Sequence, residues 1–225
     1  MPRKPRDAPG GIIYHVLNRA VGRMTLFKKD ADSAAFEQAL GETIERLGTR
    51  VLAYCVMPTH FHLVAWPRED GELSEFMRIF TVTQTRRWHA RHRTTGTGPL
   101  YQGRFKAFPV QADEHFLTVA RYVEQNALRA GKVERAEEWR WCSLWQRRHL
   151  SEAGDGPVLG RWPVSEPQQW LRTVNARQSE AELEALRLCV QRGRPFGGDR
   201  WVKRITRELG LESSFRPRGR PRITR

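Results

Sequence analysis

No apolar run in this chain approaches the length needed to cross a bilayer, and its first residues, MPRKPRDAPGG, lack the apolar core of a signal peptide. The expectation is a cytoplasmic protein with no membrane partner. Cysteine is nearly absent: Cys55, Cys142 and Cys189 lie far apart with no paired spacing. That excludes a disulfide framework and a cysteine zinc cluster, and fits reduced thiols in the cytosol. Acid is also in short supply. The 25 Asp and Glu face 39 Lys and Arg, giving a formal charge of +14 and a pI near 10.7. A field of that sign attracts polyanions, and the release of counterions from phosphates is its usual use. Basic excess is shared by ribosomal, membrane-surface and nucleic-acid proteins, but the preference for arginine points to nucleic acid and to a nucleoid-associated location. There is no internal repeat.

What is present suits one globular domain. The chain has 225 residues, 39% of them hydrophobic and 10% aromatic, enough for a sizeable core. Residues 1–9 are basic and proline-rich and read as an arm. The run IIYHVLN (12–18) is strand-like, and from Asp30 to Gly48 apolar residues recur at helical spacing, with Asp30 or Asp32 as a cap and Gly48 after the end. RVLAYCV (50–56) and FHLVAW (61–66) flank Pro58-Thr59 as an antiparallel pair. Residues 72–92 suit a helix. RFKAFPV (104–110) reads as a fourth strand, which Pro109 confines to an edge or a strand end. Residues 113–130 are the clearest helix, with Asp113 as N-cap and Gly131 as stop.

This order, strand–helix–strand–strand–helix–strand–helix, predicts an α+β fold of ferredoxin-like type: an antiparallel sheet with helices on one face. It divides the chain into a catalytic domain over 10–135, a Trp-rich and helical extension over 136–211, and a basic tail over 212–225. The extension carries Trp139, Trp141, Trp145, Trp162 and Trp170, then helices over 180–192 and 199–210 separated by GRPFGG.

His60-Phe61-His62 stands at a strand start. Alternation turns both imidazoles to one side and Phe61 to the other, making a platform for a divalent metal. Two surface histidines beside a turn would give the same three letters. On the last helix, Tyr122, Asn126 and Arg129 form a polar stripe beside the apolar one, with His115 a helical repeat earlier. Taken alone, Tyr122 is an amphipathic residue at a core boundary. Together, the two sites supply a reaction. A metal held by His60, His62 and an Asn126 oxygen polarises a phosphate while Tyr122 attacks it. The 5′-phosphotyrosine so formed conserves the phosphodiester energy for rejoining.

YHVLNRAVGR, CVMPTHFHLV, GRFKAF, RYVEQNALRAGKV, WCSLW and the late GRPFG, in that order over about 14–205, resemble the REP-associated tyrosine transposases. These are relatives of the single-tyrosine HUH transposases of bacterial insertion sequences. The resemblance implies His60 and His62 as the HUH metal pair and Tyr122 as the nucleophile. Asn126 falls where the insertion-sequence branch carries a glutamine ligand. It also implies a ferredoxin-like palm, Mg²⁺ or Mn²⁺ as cofactor, and single-stranded or hairpin DNA of repetitive extragenic palindromes as substrate, cut beside a short guide sequence. Two motifs depart from the usual pattern: Thr59 replaces the Asn of M-P-N-H, and Ala127-Leu128 replace the Pro-Val of N-P-V-R-A.

Arg19, Arg23, Arg104, Lys106, Arg121 and Arg129 are expected to contact phosphates or the guide. Arg218-Gly219-Arg220-Pro221-Arg222 reads equally as an AT-hook core in a minor groove, with Arg218 and Arg220 on DNA, or as a solubilising tail. A monomer and a homodimer are both compatible with the sequence. Two other classes are a non-catalytic DNA-binding protein on the same fold and an RNA-binding module. The latter would display aromatics where these histidines stand.

Overall fold

In the computed structural model of the chain, residues 8–150 and 156–216 are described. Strands β1 (Ile13–Arg19), β2 (Arg50–Met57), β3 (His60–Trp66) and β4 (Lys106–Val110) form one antiparallel sheet in the order β2-β3-β1-β4. Helix α1 (Asp30–Leu47) joins β1 to β2, and α2 (Glu72–His92) joins β3 to β4. The backbone amides of Lys28 and Lys29 donate to Asp32 Oδ2 at the start of α1, and Gly48, at φ 68°, ends it in the left-handed region. Pro109 lies on the edge strand, as its missing N–H requires. The expected helix over 113–130 is α3 (Glu114–Glu124) followed, after Gln125, by α4 (Asn126–Arg129). Asp113 caps α3 by accepting from the His115 amide.

The α+β antiparallel class stands, but the placement of helices on one face does not. Phe36, Leu40, Phe76 and Phe80 of α1 and α2 pack on the face carrying Tyr14, Val16, Phe61 and Leu63. Phe116, Val119, Ala120 and Val123 of α3 pack on the opposite face with Ile13, Leu52, Val64 and Phe108. The physical reason is in the strands. From Val51 to Met57 every residue of β2 is buried, whichever way it points, so both faces need a cover.

The Trp-rich segment supplies the rest of that second cover. Trp139 and Trp162 donate their indole N–H groups to the β2 carbonyls of Val56 and Leu52, at 2.9 Å each. The Val56 amide donates to the Trp141 carbonyl at 2.8 Å, so chain around 141 runs beside β2. Ala136, Cys142, Leu144, Trp170, Val174, Leu183 and Leu186 share one core with α3, across the boundary expected near 135. Cys142 heads α5 (Ser143–Arg148), and Trp170 opens α6 (Trp170–Asn175). Two further helices, α7 (Glu180–Arg192) and α8 (Asp199–Glu208), follow, with Gly193 at φ 72° ending α7. Residues 8 and 9, assigned by composition to the arm, pack instead: Ala8 is buried and Tyr14 donates its hydroxyl to the Pro9 carbonyl. Arg218 and Arg220 lie outside the described residues.

A buried carboxylate joins α3 to this cover. Glu124 is fully buried; its Oε1 accepts from Ser143 Oγ at 2.7 Å and from Arg147, and its Oε2 accepts from Trp170 Nε1 at 2.8 Å. All three donors lie in the segment after 140, so one side chain on α3 fixes α5 and α6. Removing the carboxylate would leave the Ser143 hydroxyl and the Trp170 indole N–H without an acceptor in the core, and the Arg147 guanidinium with only the Leu52 carbonyl and Glu166. Glu124→Ala is expected to cost about 3 kcal/mol or more of unfolding free energy. Urea titration followed by tryptophan fluorescence measures it, and a loss below about 1 kcal/mol would remove Glu124 from this role.

Candidate active site

Strand alternation and sheet register bring the site together. Odd-numbered residues of β1 and even-numbered residues of β3 share the α3 face, with Leu17 opposite His62 and Arg19 opposite His60. Lys106 of β4 stands opposite Leu17. Tyr122 and Asn126, one helical turn apart, face this patch from α3 and α4. The result is a cavity of ≈ 710 Å³ lined by Asn18, Arg19, Arg23, His60, His62, Arg104, Lys106, Tyr122, Asn126 and Arg129, and by Arg187, Val190 and Gln191 from α7.

Most residues singled out in the sequence therefore meet in one place. Arg121 does not: its Nη2 donates to the Ala176 carbonyl at 2.7 Å, on the side of α3 facing α6. His115 does not either, since its ring bonds Asp113 and packs edge-on to Phe196. Asp113, Glu114 and His115 do bring three ligand-type groups within 4.8 Å of one another. The Asp113 carboxylate there already caps α3, and this cluster lies apart from the histidine cavity.

The two histidines are prepared in the same way. His60 Nδ1 lies 3.1 Å from Thr59 Oγ1, and His62 Nδ1 lies 2.8 Å from His15 Nε2. Both Nδ1 atoms are engaged, leaving the Nε2 atoms as the available ligands, with ring centroids 5.1 Å apart. Burial, reinforced by Arg19 and Arg129, brings the His60 pKa down to about 4. Burial, then its histidine neighbours and the same two arginines, holds His62 well below 6.5. Both rings are neutral at pH 7, as metal ligands must be. The Asn126 side chain is nearly buried and makes no hydrogen bond to the protein among the described residues. Two free imidazole nitrogens and an unengaged amide oxygen fit a divalent cation.

Charge sets the rest of the chemistry. Arg19, Arg23, Arg104, Lys106, Arg129 and Arg187 line the cavity, and no carboxylate does so among the described residues. Such a cavity holds a divalent ion poorly alone and well when an anionic phosphate arrives with it. Tyr122 is largely buried, its ring centroid 5.8 Å from that of His62 and covered by the Arg129 guanidinium 4.2 Å from the ring centroid.

His15 escaped the reading of the sequence, as did Arg187 and Gln191. Within IIYHVLN, His15 passes for one polar letter in a strand. The signal was its parity with Ile13 and Leu17, which places it on the His62 face once β1 pairs with β3. It is 1% exposed and stacks on Phe108 with centroids 4.8 Å apart. No local pattern could have brought α7 to the cavity.

Buried neutral histidines make stability depend on pH. Burial lowers the His15 pKa from 6.5 to about 3, so between those values the unfolded chain binds a proton that the folded chain refuses. The stability His15 brings is present above pH 6.5 and falls as pH drops toward 3. The loss is up to about 1.4 kcal/mol per pH unit for each such histidine. In EDTA, the urea midpoint is expected to fall steadily from pH 7 to pH 5, and His15→Phe should flatten the slope by about one proton. An unchanged slope in that variant would show that His15 does not contribute.

The family model described as "Transposase IS200 like" matches residues 10–126. A REP-associated tyrosine transposase solved with a REP hairpin superposes with a TM-score of 0.53 at 18% identity, covering 75% of this chain and 95% of that one. A protein of Deinococcus radiodurans R1 described as a transposase is 19% identical over 55% of this chain and 96% of its own. Its TM-score of 0.39 is too low to carry an argument. A search of curated proteins finds no match.

Proposed function

Because the chain belongs to the IS200-like transposase family, we propose that it is a metal-dependent nicking and joining enzyme that uses Tyr122 on single-stranded or hairpin DNA of palindromic repeats. The observation that carries this reading is the meeting of Tyr122, Asn126, His60 and His62 in one cation-rich cavity. The hairpin substrate is taken from the neighbour bound to a REP hairpin.

The DNA phosphates enter a cavity whose cations neutralise them and hold one linkage near Tyr122. His60 and His62, through Nε2, and Asn126, through its amide oxygen, would hold the divalent ion, which supplies Lewis-acid polarisation of the scissile phosphate. Tyr122 Oη attacks phosphorus, its proton leaving to water, and a Tyr–O–P bond forms. The P–O3′ bond breaks, and the departing oxygen takes up a proton to become a free 3′-OH. Arg129 lies over the Tyr122 ring and donates from Nη1 to the Tyr122 carbonyl, holding the tyrosine in place beside the phosphate charge. The covalent link conserves the energy of the broken bond. A second 3′-OH can then reverse the step and join strands without ATP.

His15 has a positioning role here. A cation on His62 Nε2 requires the proton on Nδ1, and His15 Nε2 is placed to accept it at 2.8 Å. It would fix both the tautomer and the ring orientation.

Two measurements test the proposal. Tyr122→Phe is expected to abolish protein–DNA adducts on a denaturing gel with a labelled hairpin oligonucleotide, while binding of the same probe survives within about twofold. Adduct formation by that variant, or by wild type in EDTA, would overturn the mechanism. His15→Ala is expected to weaken Mn²⁺ binding to the protein–DNA complex by about tenfold or more, read by electron paramagnetic resonance. Unaltered Mn²⁺ affinity would leave His15 a packing residue only.

A further inference from the structure

Helix α8 carries a surface that the chemistry at Tyr122 does not use. Arg200, Lys203, Arg204 and Arg207 follow the i, i+3, i+4, i+7 spacing of one helical face, and all four are exposed. Of the four, Arg204 alone makes an ion pair, a loose contact of 3.9 Å with Glu208. Arg200, Lys203 and Arg207 make no ion pair among the described residues. The apolar side of α8 is already occupied: Ile205 is buried, and Trp201 packs so closely on Gly197 that a Cβ there would lie 2.5 Å from the ring. What faces solvent is therefore charge, without an apolar stripe to enter a lipid surface.

Two anchors hold this ridge at the Val110 end of β4, the end opposite Lys106 and the cavity. Phe196, in the turn between α7 and α8, adds to the sheet edge: its amide donates to the Pro109 carbonyl, and the Gln111 amide donates to its own carbonyl. The Gly198 amide at the head of α8 donates to Gln111 Oε1 at 2.8 Å. Helix α7, which leads into this turn, lines the cavity with Arg187 and Gln191. Arg192 and Arg194 also donate to the Ser214 carbonyl. The segment around Ser214 thus lies next to the same turn.

We propose that the exposed face of α8 grips the double-stranded stem of the DNA whose unpaired flank enters the Tyr122 cavity. The ridge spans about 10 Å along the helix, and duplex DNA presents about one phosphate per 1.7 Å of axis, so four cations meet a dense row of charge. A single strand is the poorer fit, because its binding sites combine a groove with aromatic platforms for the bases. α8 offers a convex ridge and no exposed aromatic. This inference rests on the hairpin reading of the substrate but not on the role of Tyr122.

The test compares wild type with R200A/K203A/R204A/R207A, full-length and in EDTA. The probes are a synthetic G·C-rich DNA hairpin with an unpaired flank, and that flank alone. Fluorescence anisotropy over a salt series is expected to show hairpin affinity falling by about tenfold or more, with the salt slope smaller by about 3. Affinity for the flank alone, and adduct formation on it with metal, should stay within about twofold. A control removing four exposed cations elsewhere, R46A/R86A/R172A/R177A, should leave hairpin binding near wild type. Undiminished hairpin affinity, equal losses on both probes, or an equal loss in the control would overturn the grip. So would a wild type that binds the flank but not the stem, which leaves nicking intact. Failure to form a Tyr122 adduct would overturn the nicking mechanism without touching α8.

Discussion

The register of β3 is the constraint on which the rest of the structure depends. It is paired on both sides, with β1 and with β2. A slip of one residue would send His60 and His62 into the α1–α2 core and bring Phe61 and Leu63 into the cavity. Phe61 blocks that slip from below, packed edge-on between Phe80 and Tyr101 and against Phe36. From above, His15 holds His62. The two imidazoles are therefore fixed by packing before any cation or DNA arrives, which suits chemistry that depends on orientation.

The second cover completes that arrangement. Tyr122 and Asn126 face the histidines because α3 lies flat on the sheet, and the buried Glu124 fastens α3 to α5 and α6 from its other side. Tyr122 is two residues from Glu124, so a structural ion pair and a candidate nucleophile share one helix and face opposite ways. Trp139, Trp162 and Trp170 belong to this scaffold. Their indole N–H groups are spent on Val56, Leu52 and Glu124, and their rings fill the space between the sheet and the extension. Charge divides along the same line, with buried acids paired in the scaffold and bases gathered around the cavity and on α8.

Much of this was legible in particular residues. The bounds of α2, the edge position of Pro109, the Asp113 cap and the two C-terminal helices follow from local chemistry, because period, caps and proline act within a few residues. The continuous burial of β2 also held the answer to which faces carry helices. A run with no polar alternation needs cover on both sides, and that outweighs the one-sided layout inferred from element order. His15 and Arg187 were not legible, since each acquires its place from a partner distant in sequence. Arg121 stands as the converse: adjacent to Tyr122 in the chain, it turns to Ala176, because neighbours on a helix point about 100° apart.

The sequence by itself determined the class of fold, the strand that bears two imidazoles on one face, the helix that bears Tyr122 and Asn126, and an excess of cations suited to phosphate. Those properties are local or compositional, and alternation or helical period carries them. Only the tertiary structure decided that His15 backs His62, that Arg187 and Gln191 of α7 close the cavity, and that a basic ridge follows the turn that docks on the edge strand. Each depends on register between β1 and β3, or on the turn at Phe196 docking against β4. Contacts between segments tens of residues apart in the chain are set by packing, and no pattern within either segment encodes them.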